Sequence, residues 1–178
     1  MTVWTVGHST RPFGAFVDAL RAHGIGVLVD VRRFPASRRH PQYNGTALKP
    51  ALVPHGIEYH GLPELGGRRN PRADSRNTAW RNRAFRGYAD YMETVEFRQG
   101  IERLLLLAGR SPTAMMCAEA LWWQCHRALI ADCLTAGGTT VIHIQDAGRA
   151  EPHRYSSAAH VVDGALSYAG GQLELPPS

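Results

Sequence analysis

Residues 25 to 31, "IGVLVDV", constrain the fold more than any other stretch. A strand with one wet face alternates apolar and polar residues, whereas here Val27, Leu28 and Val29 follow one another, so both faces must be covered. Such strands belong to parallel sheets packed between helices. The preceding residues supply the matching unit. "VWTV" (3 to 6) is a β-branched and aromatic run ended by Gly7, and "FGAFVDALRAHG" places Phe13, Phe16, Val17 and Leu20 at helical spacing. Ser9 or Thr10 is the expected cap, Pro12 suits the first turn and Gly24 the end. The chain is therefore β-α-β by residue 31.

The alternation continues. "TALKPALVPHG" reads as a proline-interrupted helix and "IEYHGL" as a third strand. Residues 68 to 86, with seven arginines, read as a long exposed loop. Tyr88, Tyr91, Met92 and Val95, then Ile101, Leu104, Leu105 and Ala108, predict two helices broken near Thr94. "TAMMC" is a fourth strand, a helix is expected from Leu121 or Trp122 to Gly137, and "TTVIHI" is a fifth strand. "ALSYAGGQLEL" predicts a small hairpin around Gly170-Gly171 in a C-terminal extension, residues 147–178. The expectation is one α/β domain over residues 1–178, a Rossmann-like doubly wound sheet of about five mainly parallel strands with helices on both faces. The simplest strand order is 3-2-1-4-5.

Composition agrees with one soluble domain: 178 residues, 44% apolar and 20% charged, suffice for a full core. "MTVWTVGHST" has no basic stretch followed by an apolar run, so no signal peptide is expected, and runs such as "IERLLLLAG" fall far short of the roughly 18 residues of a membrane span. All three cysteines lie between 117 and 133, which argues against a disulfide framework. A cytoplasmic protein with reduced thiols and no membrane partner is expected. The formal charge of +5 comes from 19 Arg against the single Lys49. Arginine is the better fork for phosphate and carboxylate, although a GC-rich genome produces the same bias.

The chemistry-bearing residues segregate. "GHS", "DVRRFPASR", "HGL", "CAE" and "HIQD" follow the strands, while the entering segments "HG", "RSP" and "AGG" are bland. Ligands of such sheets bind beyond the strand C-termini, and the expected order places His8 and Ser9 beside Cys117 and Glu119. One reading is an enzyme on a small anionic substrate, phosphate- or carboxylate-bearing. Cys117 is its nucleophile, His126 or His8 the acid-base group, Glu119 an orienter, and Arg32 and Arg127 anion clamps. A cysteine before a helix start is favoured as thiolate.

Other readings stand beside it. Cys117, Cys125 and His126, with His8 or His143, offer soft ligands for a metal-binding hydrolase. No Cys-x2-Cys or His-x3-His pair is present, and neighbours on a helix diverge by about 100°, so no metal ligand and no cofactor is assigned. Eleven arginines lie in 32–39 and 68–86, and with Tyr43 and Trp80 they suit a nucleic-acid groove, without a recognised nucleic-acid motif. In the bland reading His8 caps a turn, Asp30 accepts amides of its own loop, and Cys125 and Cys133 are small hydrophobes. Cys133 is taken as such. Trp122 and Trp123 are read as packing groups.

"TVGHS", "DVRRFPASR", "YHGLPELGG", "RGYADYM", "CAE...CHR" and "VIHI" occur in the order of the family called domain of unknown function 488, which the chain resembles over roughly residues 3–146. The resemblance implies a Rossmann-like α/β domain without an established activity. Its recurrent polar positions fall on Gly7, His8, Ser9, Asp30, Arg32, Pro35, Ser37, Gly66, Gly67, Cys117, Glu119, Cys125, His126 and Arg127. Ser9, Asp30 and Ser37 thereby join Arg32 and Arg127 as candidate substrate-binding residues. Where many members have an Asp-Pro-like helix start, this chain has "ALWWQ".

Overall fold

The computed structural model of the chain describes residues 1–162 and 164–170. The elements run β1 (Thr2–Gly7), α1 (Phe13–Ala22), β2 (Val27–Asp30), α2 (Gly45–Leu52), β3 (Glu58–Gly61), α3 (Arg83–Met92), α4 (Val95–Ala108), β4 (Thr113–Cys117), α5 (Arg127–Ala136), β5 (Thr140–Asp146), β6 (Arg149–Pro152), β7 (His160–Val162) and β8 (Ala165–Ser167). The five expected strands are all present, and Thr94 caps α4 at the anticipated break by accepting from the Phe97 amide.

The sheet order is β3-β2-β4-β1-β5-β6, parallel except for β6. This corrects the order 3-2-1-4-5, because β4 enters between β2 and β1. The burial explains it. Every residue of β2 and β4 is buried, so both need neighbours on either side, while β3 has exposed Glu58 and Gly61 and forms an edge. Helices cover both faces. Phe16 and Leu20 of α1 and Leu48 and Leu52 of α2 pack on Val6, Leu28 and Met116. Tyr88 of α3, Phe97 and Leu104 of α4, and Leu129 and Ile130 of α5 pack on Val29, Met115 and Val141. Each fully buried Leu or Phe side chain contributes roughly 1.5–3 kcal/mol.

Local departures bear on the site. Pro12 is the N-cap of α1, with no side-chain cap from Ser9 or Thr10, and Ser9 itself adopts φ 47°. The helix expected from Leu121 begins at Arg127. Trp122–Gln124 make a 3-10 turn, Cys125 is extended, and His126 is the N-cap. The arginine-rich loop is tethered as well as exposed, since the Asp90 carboxylate accepts from the Arg72 amide, Ser75 Oγ and Asn77 Nδ2.

Beyond β5, β6 pairs antiparallel and adds a sixth strand that the sequence reading missed. Ala165–Ser167 pairs with His160–Val162, and the expected hairpin around Gly170-Gly171 runs into residues 171–178, outside the described residues. Among the described residues no helix is long and apolar enough to cross a membrane.

Candidate functional site

Strand β4 ends between β1 and β2, with Cys117 opposite Gly7 and Met116 opposite Asp30. The ladder continues past the strand ends, because the His8 and Ser9 amides donate to the Cys117 and Ala118 carbonyls and the Val31 amide to Met116. The three chains leave the sheet so close together that a Cβ on Gly7 would lie 1.9 Å from the Glu119 carbonyl oxygen. Above them opens a cleft of about 810 Å³. His8, Ser9, Arg32, Ser37, Cys117, Glu119 and His126 all line it.

The floor is a sulfur-imidazole cluster. His126 Nε2 donates to the Val31 carbonyl at 3.0 Å, which turns Nδ1 toward Cys125 Sγ at 3.5 Å and Cys117 Sγ at 3.9 Å. The two sulfurs and Nδ1 lie within 4.8 Å of one another. Both cysteines are buried, and burial opposes the charged form of each. The hydrogen bond to Cys125, together with burial, pushes Cys117 well above the ordinary thiol value. Burial opposes ionising Cys125 too, but the Cys117 thiol, His126 and Arg127 outweigh it and hold Cys125 well below that value. The extended backbone at Cys125 makes this convergence, since on a continuous helix Cys125 and His126 would point apart.

His8 is a neutral strut. Its Nδ1 donates to the Ser9 carbonyl at 2.9 Å, its Nε2 accepts from Arg32 Nη1 at 3.2 Å, and its ring stacks on Tyr43. Burial, with Arg32 nearby, lowers its pKa to about 4. Both of its nitrogens are occupied within the fold. Arg32 reaches the cleft while paired with Asp30, Nε to Oδ1 at 2.8 Å and Nη2 to Oδ2 at 2.5 Å, and it also donates to the Tyr43 carbonyl. Asp30 lies beneath the cleft, holding Arg32 and accepting from Tyr59 Oη.

Three expected roles meet a different geometry. Arg127 does not line the cleft; it is 1% exposed and holds the Glu119 carbonyl at 2.5 Å and Thr5 Oγ1 at 3.3 Å. Its first-helix-residue position turns it under the loop. Glu119 is exposed, and its carboxylate makes no hydrogen bond among the described residues, so it orients neither histidine. Ser37 Oγ accepts from the His40 amide, and its own amide donates to Asn44 Oδ1, shaping the rim. His143, weighed as a ligand, lies apart, bonded to Thr5 and His153 and stacked on Trp122.

The rim is positive, as the two arginine segments after the strand ends led one to expect, on arginines that were not named singly. Exposed Arg33, Arg39 and Arg68 line the cleft and have no carboxylate partner among the described residues. Gly67 lies against His126, where a Cβ would come within 2.9 Å of Nδ1, and the Tyr88 ring packs 5.2 Å away. The "GGRR" stretch that carries Gly67 and Arg68 was the available signal.

A family model described as "Domain of unknown function DUF488" matches residues 12–134. The chain belongs to that family. The matched span runs from α1 into α5 and includes the DVR, CAE and CHR stretches, while "TVGHS" and "VIHI" lie outside it. No curated protein and no solved structure matches the chain.

Proposed function

We propose that the protein is an enzyme acting on a small anionic substrate, with Cys117 as the nucleophile. One observation carries this reading: a cysteine-cysteine-histidine cluster floors a cleft whose rim bears three guanidinium groups without a carboxylate partner among the described residues. Arg33, Arg39 and Arg68 attract the anion, and the oriented His126 Nδ1 takes the thiol proton as Cys117 bonds to the electrophilic atom while that atom's bond to its leaving group breaks, the leaving group departing with the electron pair and collecting the proton from Nδ1. Cys117 is the attacking sulfur because it ends β4 between β1 and β2 on the cleft floor, and it depends on His126 Nδ1 because its surroundings favour the protonated thiol.

Alkylation tests this without a known substrate. Iodoacetate is expected to label Cys117 faster than neutral iodoacetamide does, an advantage that high salt removes. Faster labelling by the neutral reagent would sink the anion-selective cleft. Label on Cys125 alone would remove Cys117 from the role. A second reading, a nucleic-acid strand on the rim, draws on exposed Phe34 with the Arg33 guanidinium 5.5 Å over its ring. It requires salt-dependent binding of a single-stranded oligonucleotide, and no binding at low salt eliminates it.

A further inference from the structure

We propose that Cys117, Cys125 and His126 form a binding site for one thiophilic divalent ion of the zinc class, with its fourth coordination position open to the cleft. The inference rests on the proposed function for the location of the working site. It adds that a bound ion and an electrophile compete for the same Cys117 sulfur.

The distances support it first. With metal-sulfur bonds of about 2.3 Å and metal-nitrogen bonds of about 2.0 Å, a tetrahedral ion holds sulfur and nitrogen about 3.5 Å apart. His126 Nδ1 lies 3.5 and 3.9 Å from the two sulfurs. The imidazole is also prepared as a ligand: Nε2–H is tied to the Val31 carbonyl, so the Nδ1 lone pair faces the sulfurs. A second-sphere carbonyl of this kind fixes both tautomer and ring orientation in metal-binding histidines. Charge is favourable too, because two thiolates and a neutral imidazole neutralise a dication.

The fourth ligand distinguishes this site from a closed structural one. The two histidines that the sequence offered are both committed, His8 to Ser9 and Arg32, His143 to Thr5 and His153. Three protein ligands leave one position, and it faces the arginine-rimmed cleft. Three ligands with an open position are the arrangement of catalytic or exchangeable zinc rather than of a four-ligand structural site. An anion drawn into the cleft by the rim arginines is the expected fourth ligand.

Cobalt(II) titration of the reduced, chelator-treated full-length protein tests the site. One equivalent is expected to produce thiolate-to-cobalt charge-transfer absorption, which zinc then abolishes by displacement. Cys133→Ser should bind like the parent, while Cys117→Ser, Cys125→Ser and His126→Ala, each checked for folding by urea titration, should bind at least about tenfold more weakly. Absence of charge transfer in the folded, reduced parent protein overturns the inference, as does an equal loss in Cys133→Ser. Zinc should also slow iodoacetate labelling of Cys117. Silent cobalt with anion-selective labelling removes the metal site and leaves the proposed function. Bound cobalt with non-selective labelling does the reverse.

Discussion

Arg32 and Arg127 were expected to do the same job, and their surroundings assign different ones. Arg32 faces the cleft, already neutralised by Asp30, whereas Arg127 is buried beneath the loop after β4 with its Nε unpartnered among the described residues. Sequence showed the residue types, because chemistry-bearing groups cluster at strand ends. It did not show direction, which depends on whether a residue sits before a helix or in its first turn. Replacement of Arg127 by Met is expected to destabilise the fold by about 2–4 kcal/mol, as the Glu119 carbonyl and Thr5 hydroxyl lose a charged donor in a buried place. Urea denaturation measures this, and a change below about 0.5 kcal/mol, the range of ordinary surface substitutions, refutes the structural role. Arg68→Ala should leave stability unchanged and reduce the iodoacetate advantage at Cys117.

At the scale of elements, the segment between β4 and α5 shows why the site was only partly visible. Helical spacing of apolar residues suggested a start at Leu121, but two adjacent tryptophans settle into a 3-10 turn, with Trp122 Nε1 donating to Glu151 on β6. That contact comes from a strand missed in the sequence, and so did the correct helix boundary. The Gly66-Gly67 stretch was visible as a motif, but its purpose, space for the Arg33 backbone at Gly66 and for the His126 ring at Gly67, is a tertiary fact. Gly67→Ala is therefore expected to push the imidazole off Nδ1-sulfur geometry and slow Cys117 labelling by about tenfold, a loss of about 1.4 kcal/mol in activation. A fold-stability change alone, with labelling intact, would show that the contact is only packing. The arginine loop is similar: its composition said exposed, yet Asp90 anchors it at Arg72, Ser75 and Asn77. Asp90→Asn should increase protease cleavage within residues 68–82, read by mass spectrometry, while cleavage elsewhere stays unchanged.

At the scale of the whole molecule, the layers were visible in the sequence and the strand order was not. Apolar runs report how buried a strand is, not which strand lies beside it, so β4 between β1 and β2 could not be read from pattern alone. The same limit hid the chain of contacts Arg127, Thr5, His143, His153 and Asp132, which crosses from the cleft loop to the C-terminal segment. Asp132 also accepts from Ser156 and Tyr168 there. This network and the cleft wall share a pH dependence. Burial lowers His143 to about 3 and His8 to about 4, against 6.5 for an ordinary histidine. Above pH 6.5 both states are neutral and the stability is fully present. Between 6.5 and about 4 the unfolded chain takes up protons that the folded chain refuses, so stability falls as the pH drops. Each histidine contributes at most about 1.4 kcal/mol per pH unit, so the pair costs about 2–4 kcal/mol between pH 7 and 5. Urea titrations at the two pH values measure it, and His143→Gln should halve the fall. Equal stabilities at both pH values would mean that these histidines are not held neutral by the fold.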